Sequence, residues 1–192
     1  MDLGGIVSAV GLGIALAAIA GLRAWMPLLL AGILARSGIF ELGPAFAFLS
    51  STPALIAFGL ATAIEIVGDK IPPVDHALDA IGTILRPAAG ALLASAAIGH
   101  VTDPLTATAV GAAVGVPAAI VPHAAKSGLR AASTLFTAGL ANPILSTLED
   151  LTALALFVLA VLLPLAVVGL LAVAALLLIR RATRRAQVPS TV

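Results

Sequence analysis

Cysteine and tyrosine are absent from this chain, and charged residues are scarce. Without cysteine, the 192-residue protein forms no disulfide, no thiolate metal site and no cysteine nucleophile. Only 10% of its residues are charged, against about 25% in soluble domains. This scarcity, with 61% hydrophobic residues and a mean hydropathy of +1.18, indicates a membrane protein rather than a water-soluble one.

Basic residues are also few. The chain has two lysines and eight arginines against nine acidic residues, and no basic stretch is interleaved with aromatic residues. The sequence contains no recognised nucleophile motif, phosphate-binding loop, dinucleotide-binding glycine motif or zinc-protease motif. We therefore expect no nucleic-acid partner, no enzymatic activity, no cofactor and no metal.

Long apolar runs alternate with short charged segments. A membrane-crossing helix needs about 20 apolar residues, and residues 51–67, 81–98 and 151–179 are predicted to form such helices. Two further runs, 3–40 and 104–148, are longer and are interrupted by glycine, proline and basic residues. We expect each of these two runs to form a long helix, a glycine turn and a half-helix.

One short segment occurs twice. GLRAWMPLLLAGILA, from Gly21, matches GLRAASTLFTAGLAN, from Gly128, at seven positions, and both segments lie inside the two interrupted runs. TPALIAFGL, from Thr52, also resembles TALALFVLA, from Thr152. The pattern predicts an all-α polytopic membrane protein of two tandem repeats, each a broken or re-entrant helical hairpin plus a spanning helix, with one linking helix. We expect a single membrane domain over 1–192, with repeat one at 1–80, the linking helix at 81–102, repeat two at 103–180 and a basic tail at 181–192.

Orientation follows from the basic residues. Four arginines near the end of the chain place the C-terminus in the cytoplasm under the positive-inside rule. If each interrupted run enters and leaves on one side, the repeats are parallel, and Glu149 and Asp150 lie on the outer side. If each run crosses once as a kinked helix, the repeats are inverted.

Three blocks of sequence resemble a known family. They are GLRAWMPLLLAGILAR, the segment STPALIAFGLATAIEI with its following DKIP–D–LD loop, and GLANPILSTLED. These blocks are similar to the bacterial integral-membrane family designated domain of unknown function 4126. The resemblance covers nearly the whole chain, and GLANPILSTLED is its most specific part. It implies a compact multi-pass protein of the bacterial inner membrane and implies no activity.

Arg23 and Arg130, one in each GLRA segment, are the first candidates for a binding site. An arginine at membrane depth costs roughly 2.5–3.5 kcal/mol on insertion scales, so it rarely lies there without a partner or a function. We expect the two guanidinium groups to face each other and bind a phosphate or carboxylate bidentately. The alternative is that each pairs with an internal carboxylate or reaches a lipid headgroup. Lys126 adds positive charge beside Arg130 alone.

Acidic candidates follow the first repeat's spanning helix. Glu65 and Asp69 are four residues apart, so both point along one helix face. Glu65 lies among apolar residues, which makes it a candidate counter-ion for Arg23 or Arg130 and a candidate proton carrier. Asp75 and Asp79 could join a hard-cation site, but we expect them to lie in a solvated loop where one caps the next helix.

The remaining candidates lie in the second interrupted run. Asn142 precedes a proline and ends the predicted half-helix, so unwound carbonyl groups with Glu149 could line a substrate path. The alternative is that Glu149 and Asp150 simply start the last helix at its positive end. His123 follows a proline inside an apolar stretch and is a candidate pore residue.

Together these features predict a small bacterial inner-membrane transporter or channel that binds a small anion or a phosphorylated headgroup between broken helices. The alternative is a non-transporting lipid-binding or assembly protein. Expected partners are membrane lipids, the anionic ligand and a second copy of the chain in a homodimer. The predicted site residues are Arg23, Arg130, Glu65, Asp69, Lys126, His123, Asn142 and Glu149.

Overall fold

Helices make up the regular structure of the described residues, and none of those residues lies in a strand. The computed structural model describes residues 3–164 and, beyond them, residues 166, 168–170, 173, 174, 176, 177, 179 and 180. The predicted tail at 181–192 lies outside the described residues. The elements are α1 (Leu3–Leu22), α2 (Trp25–Arg36), a 3₁₀ helix (Pro44–Ser50), α3 (Thr52–Gly68), α4 (Pro72–Ile98), α5 (Pro104–Thr137) and α6 (Asn142–Leu162).

Four of the described helices are long and apolar enough to cross a membrane: α1, the Ala77–Ile98 part of α4, α5 and α6. The 3₁₀ helix and α3 form a bent pair, at 59°, that adds a fifth candidate span. The chain is therefore a multi-pass membrane protein, as its composition predicts.

The first GLRA segment interrupts the helix where the sequence predicts. α1 ends at Leu22 and α2 begins at Trp25, so Arg23 lies in the break. α2 has 12 residues and covers about 18 Å, roughly half of a bilayer's apolar core. At the far end of α2, Arg36 Nη1 donates a hydrogen bond to Thr52 Oγ1 (2.9 Å) at the start of α3. α2 and α3 are therefore antiparallel.

The second GLRA segment does not interrupt its helix, so the prediction of a second broken hairpin is wrong. Gly128 and Arg130 lie inside α5, a continuous helix of 34 residues. A glycine inside a helix costs only about 1 kcal/mol relative to alanine, which is too little to end a helix held by its neighbours. The break comes instead at Ala138 (φ 52°) and Gly139 (φ 83°), the left-handed C-terminal conformation that glycine favours. The tandem-repeat organisation is not confirmed.

Two other predicted boundaries move. α4 begins at Pro72, nine residues before the predicted linking helix, with a proline in its first turn. α6 covers Asn142–Leu162 instead of 151–179, because Pro143 is well placed in a first turn and Leu163 precedes Pro164. Leu163 has φ −144° and ψ 69°, the non-helical conformation that a following proline imposes.

The core of the bundle is formed by α1, α4 and α5, which approach closely through small residues. A Cβ atom at Gly21 of α1 would lie 2.2 Å from the backbone oxygen of Ala119 in α5. A Cβ atom at Gly115 would lie 2.5 Å from the backbone oxygen of Gly90 in α4. Small residues at helix crossings allow such backbone contact in membrane proteins. These contacts fix α5 against α1 and thereby place its basic residues beside the break at Arg23.

Candidate functional site

Charged side chains from different helices meet at the end of the bundle where α1 and α3 end and α4 and α6 begin. Five cations lie there with six of the chain's nine acidic residues, an excess of one negative charge. Most of these side chains are buried. We call this group the charged cluster, and its members are Arg23, Lys70, Arg86, Lys126, Arg130, Glu65, Asp69, Asp75, Asp79, Glu149 and Asp150.

Arg23 connects the break after α1 to α3 and α6. Its backbone N–H donates to Ile19 O (3.0 Å), completing the last turn of α1. Its Nη1 pairs with Asp69 Oδ2, while Nη2 donates to Ser146 O and Oγ, both at 3.0 Å, and lies 2.8 Å from Asp150 Oδ1. The side chain is fully buried, so its charge depends on these partners.

Asp69 is the centre of the cluster. One carboxylate oxygen, Oδ2, contacts Arg23 Nη1, Lys126 Nζ at 3.2 Å and Arg130 Nη2 at 3.1 Å. Asp69 lies in the turn between α3 and α4, outside the candidate spans. Burial raises its pKa, but the charges of Lys126, Arg23 and Arg130 outweigh that effect and hold the pKa below its ordinary value. Asp69 therefore stays ionised and holds the three cations together.

Glu149 links α6 to the basic face of α5. Its Oε2 accepts from Arg130 Nη2 at 2.8 Å and lies 3.1 Å from Lys126 Nζ. The Glu149 side chain retains 11% exposure, whereas the Lys126 side chain retains none. Glu149 is therefore accessible to a proton or a ligand.

Glu65 has a structural role that the sequence does not reveal. Its two carboxylate oxygens accept from the backbone N–H groups of Ala24 (3.1 Å) and Trp25 (3.3 Å). Ala24, at the N-cap of α2, offers no side-chain cap of its own. A carboxylate at this positive helix end satisfies donors that would otherwise be unpaired. The arginine that pairs with Glu65 is Arg86, whose Nη2 lies 3.6 Å from Oε1, and not Arg23 or Arg130 as the sequence suggests. Glu65 therefore connects the break to α4.

His123 lies at the inner side of the cluster, against Arg86. Arg86 Nη1 is 2.6 Å from His123 Nδ1, and Thr83 Oγ1 is 3.3 Å from Nε2. Because a guanidinium group only donates hydrogen bonds, Nδ1 must be the acceptor. This contact assigns the neutral imidazole, with its proton on Nε2. His123 therefore packs inside the bundle rather than facing an open pore.

Two cavities border the cluster on opposite faces of α5. A cavity of about 400 Å³ is lined by Asp75, Asp79, Ser127, Arg130 and Asn142, among others. A groove of about 640 Å³ lies between α1, α5 and α6, and its lining includes Lys126 and Glu149. Residues three to four positions apart lie on the same face of a helix. One face of α5 lines the cavity, the opposite face lines the groove, and Lys126 and Arg130 lie between these two faces.

The orientation predicted for Glu149 and Asp150 needs correction. Both contact Arg23, and Asp150 Oδ2 also lies 3.2 Å from Lys70 Nζ. They therefore lie at the same end of the bundle as the GLRA arginines and Lys70, not at the opposite one. The cause is the single crossing of α5, which returns the chain to the cluster before α6 begins.

A protein family described as a domain of unknown function (DUF4126) matches residues 10–184. The chain belongs to the DUF4126 family. No curated protein and no solved structure matches the chain. The three blocks in which we recognised DUF4126 contain Arg23, Asp69 and Glu149. Eight of the eleven members of the charged cluster lie in these blocks, and Arg86, Lys126 and Arg130 lie outside them.

The structure brings most of the predicted residues of this DUF4126 protein to the cluster. Arg23, Arg130, Lys126, Glu65, Asp69 and Glu149 are members of it. Both arginines pair with internal carboxylates, which is the alternative that the sequence left open. Asn142 lines the 400 Å³ cavity beside Arg130. Its Nδ2 donates to Thr134 Oγ1 (3.3 Å), while its Oδ1 has no partner among the described residues.

Sequence reasoning missed Arg86 and misassigned Asp75 and Asp79. The N-cap of α4 is Ile71, so neither aspartate caps a helix. Asp75 is 2% exposed and pairs with Arg130 Nη1, while Asp79 Oδ1 lies 3.1 Å from Arg86 Nη1. The three residues are separated by four and seven positions, so they share one face of α4. That spacing was the available signal.

Proposed function

We propose that this DUF4126 protein is a small, non-enzymatic transporter of the bacterial inner membrane that binds an anionic solute or a phosphorylated headgroup at the charged cluster. The observation that supports the proposal is the meeting of Arg23, Lys126 and Arg130 at one buried oxygen atom, Asp69 Oδ2. Guanidinium and ammonium groups converging in this way bind phosphate and carboxylate oxygens. An internal carboxylate holds that position here, as a substrate anion would during transport.

Substrate entry requires one carboxylate to give up its cations. Glu149 suits this role better than Asp69, because its side chain retains 11% exposure and Asp69 retains none. A proton on Glu149 would neutralise the carboxylate that faces Lys126 and Arg130, and an anion could then take its place. Proton and anion would enter together, so a proton gradient would drive uptake.

Glu65, which the sequence offers as a proton carrier, fits that role less well. Two backbone N–H groups and Arg86 hold its carboxylate, and protonation would weaken both the cap of α2 and the ion pair. The 400 Å³ cavity beside Arg130 offers the substrate a polar approach, since Ser127, Thr134 and Asn142 also line it.

Anion flux in proteoliposomes tests the proposal. The purified full chain is reconstituted into vesicles, and uptake of radiolabelled inorganic phosphate is followed with and without an inward proton gradient. Arg130→Lys keeps the positive charge but loses the two-pronged donor geometry of arginine. We expect the variant to lower the uptake rate at least about tenfold, equivalent to roughly 1.4 kcal/mol of binding.

Arg36→Lys is the matched control. Arg36 lies at the other end of the bundle, where it contacts Thr52, so uptake should stay at the wild-type rate. Equal rates for Arg130→Lys and the wild type would refute the proposal. Wild-type uptake no faster than that of empty vesicles, for phosphate and for a small panel of carboxylates, would refute it too.

A second candidate is a lipid-binding or assembly protein that transports nothing. The apolar groove beside Lys126 favours it, because a lipid chain could lie there permanently. Retention of an anionic lipid through purification, with no flux of any anion, would support this candidate over the transporter.

A further inference from the structure

The groove between α1, α5 and α6 has the surface of an acyl-chain site. It encloses about 640 Å³. Its lining is almost entirely aliphatic, and its larger members include Ile14, Leu22, Val121, Leu129, Leu145 and Leu156. Along α5 the groove extends from Ala118 to Leu129, about 16 Å at 1.5 Å per residue. That length matches the chain region of one leaflet, half of a core about 30 Å thick.

The groove borders the charged cluster directly. Lys126 and Glu149 are the charged residues in its lining, and Thr152 is the other polar one. Lys126 Nζ and Glu149 Oε2 are 3.1 Å apart, so the groove meets an ion pair. An aliphatic groove that meets an ion pair is complementary to a molecule with a charged head and an apolar chain.

We infer that this groove binds one anionic amphiphile, a lipid-like molecule with a phosphate headgroup, whose head replaces Glu149 between Lys126 and Arg130. The inference rests on the proposed anion site and names its substrate class. The chain of the amphiphile would lie along Ala118–Leu129 of α5 and against α6. The phosphate would accept hydrogen bonds from the two cations that Glu149 now contacts.

The carboxylates that hold Lys126 and Arg130 in place determine whether the headgroup is an anion or a cation. Lys126 is also held by Asp69, and Arg130 by Asp69 and Asp75, so neither cation is free to leave. Glu149 is the carboxylate in the groove lining that contacts both cations, and it loses its charge when it binds a proton. Protonation therefore removes the negative charge from the groove lining and leaves Lys126 there, while Arg130 borders the neighbouring cavity. This positive charge attracts an anionic head rather than a cationic one.

Native mass spectrometry of the full chain tests the inference. The detergent-solubilised protein is incubated with equal amounts of phosphatidylglycerol and phosphatidylcholine, and the bound lipid is identified and counted. We expect one phosphatidylglycerol in preference to phosphatidylcholine. Lys126→Gln should lower its affinity about fivefold, from the contribution of one basic residue to anionic-lipid binding.

Two further variants keep the test informative if Lys126→Gln does not fold. Glu149→Gln mimics the protonated carboxylate and should raise phosphatidylglycerol affinity, a gain that a purely structural role would not produce. Ala125→Phe fills the groove with a large ring and should abolish lipid binding. Ala113→Phe is its control, because Ala113 is an exposed alanine of α5 that does not line the groove.

The outcomes separate this inference from the proposed function. Equal binding of the two lipids, or loss of binding in Ala113→Phe as well as Ala125→Phe, would overturn the amphiphile site. If proteoliposomes containing Ala125→Phe still took up inorganic phosphate at the wild-type rate, the anion site would stand without the groove. Preferential phosphatidylglycerol binding that Ala125→Phe and Lys126→Gln both reduce would support the amphiphile site, whatever the phosphate flux.

Discussion

Replacing Asp69 with asparagine is expected to lower the free energy of unfolding by about 3–5 kcal/mol. The substitution keeps the shape of the side chain but leaves Arg23, Lys126 and Arg130 facing a neutral group at their shared position. Removing one partner from a buried ion pair is costly because the remaining charge has been taken out of water and is no longer compensated. Unfolding of the purified protein in mixed micelles by increasing sodium dodecyl sulfate measures the change.

A control and a rescue define the origin of the loss. Glu41 is an exposed carboxylate outside the cluster, and Glu41→Gln should change stability by no more than about 0.5 kcal/mol. Adding Lys126→Met to Asp69→Asn removes one of the uncompensated cations. The double variant should recover stability, with a coupling of about 0.5–3 kcal/mol between the two sites. Similar losses for Asp69→Asn and Glu41→Gln would contradict the central role of Asp69.

The two glycines of the GLRA segments are expected to respond to alanine in opposite directions. A Cβ atom at Gly21 would lie 2.2 Å from Ala119 O, a backbone atom, so Gly21→Ala should force α1 away from α5. Overpacking of this kind costs about 1–3 kcal/mol. Gly128 has no such neighbour within 4 Å and lies inside α5, where alanine is the better helix former by about 0.5–1 kcal/mol. Gly128→Ala should therefore be neutral or stabilising.

The same micelle unfolding measurement compares these two variants. Each serves as the control for the other, because the substitution and the local sequence are the same. Equal effects at both positions would mean that the α1–α5 crossing is looser than the structure shows.

How far the sequence predicts the fold is clearest in the two GLRA segments. Composition and apolar run length identify a multi-pass helical protein, and the short apolar stretch after Arg23 correctly predicts the half-length α2. The same GLRA sequence at 128–131 suggests a second helix break, yet α5 continues through it. Tertiary contacts explain the difference, because Lys126 and Arg130 must share a helix face to reach Asp69 together. His123, Lys126 and Arg130 are separated by three and four positions, and this spacing is the sequence signal for that continuous helix.

The sequence likewise reveals some residues of the candidate site and not others. An arginine or glutamate inside an apolar run is recognisable as costly and therefore as a candidate site residue, which is why the sequence points to Arg23 and Glu65. Asp75 was assigned to a cap because aspartate near a helix start commonly has that role. Its actual partner, Arg130, lies 55 positions away, and no local pattern encodes a pairing over that distance.

The distribution of the partners of Arg23 along the chain has a consequence for biogenesis. Asp69 follows it by 46 residues and Ser146 by 123, so the first arginine to be synthesised has no partner when its helix leaves the ribosome. An arginine directly after α1 that has no carboxylate partner disfavours burial of that end of the helix in the membrane. The nascent hairpin should therefore stay at the water interface, or beside the translocon, until α3 arrives. Translation of the last helix then supplies the remaining partners.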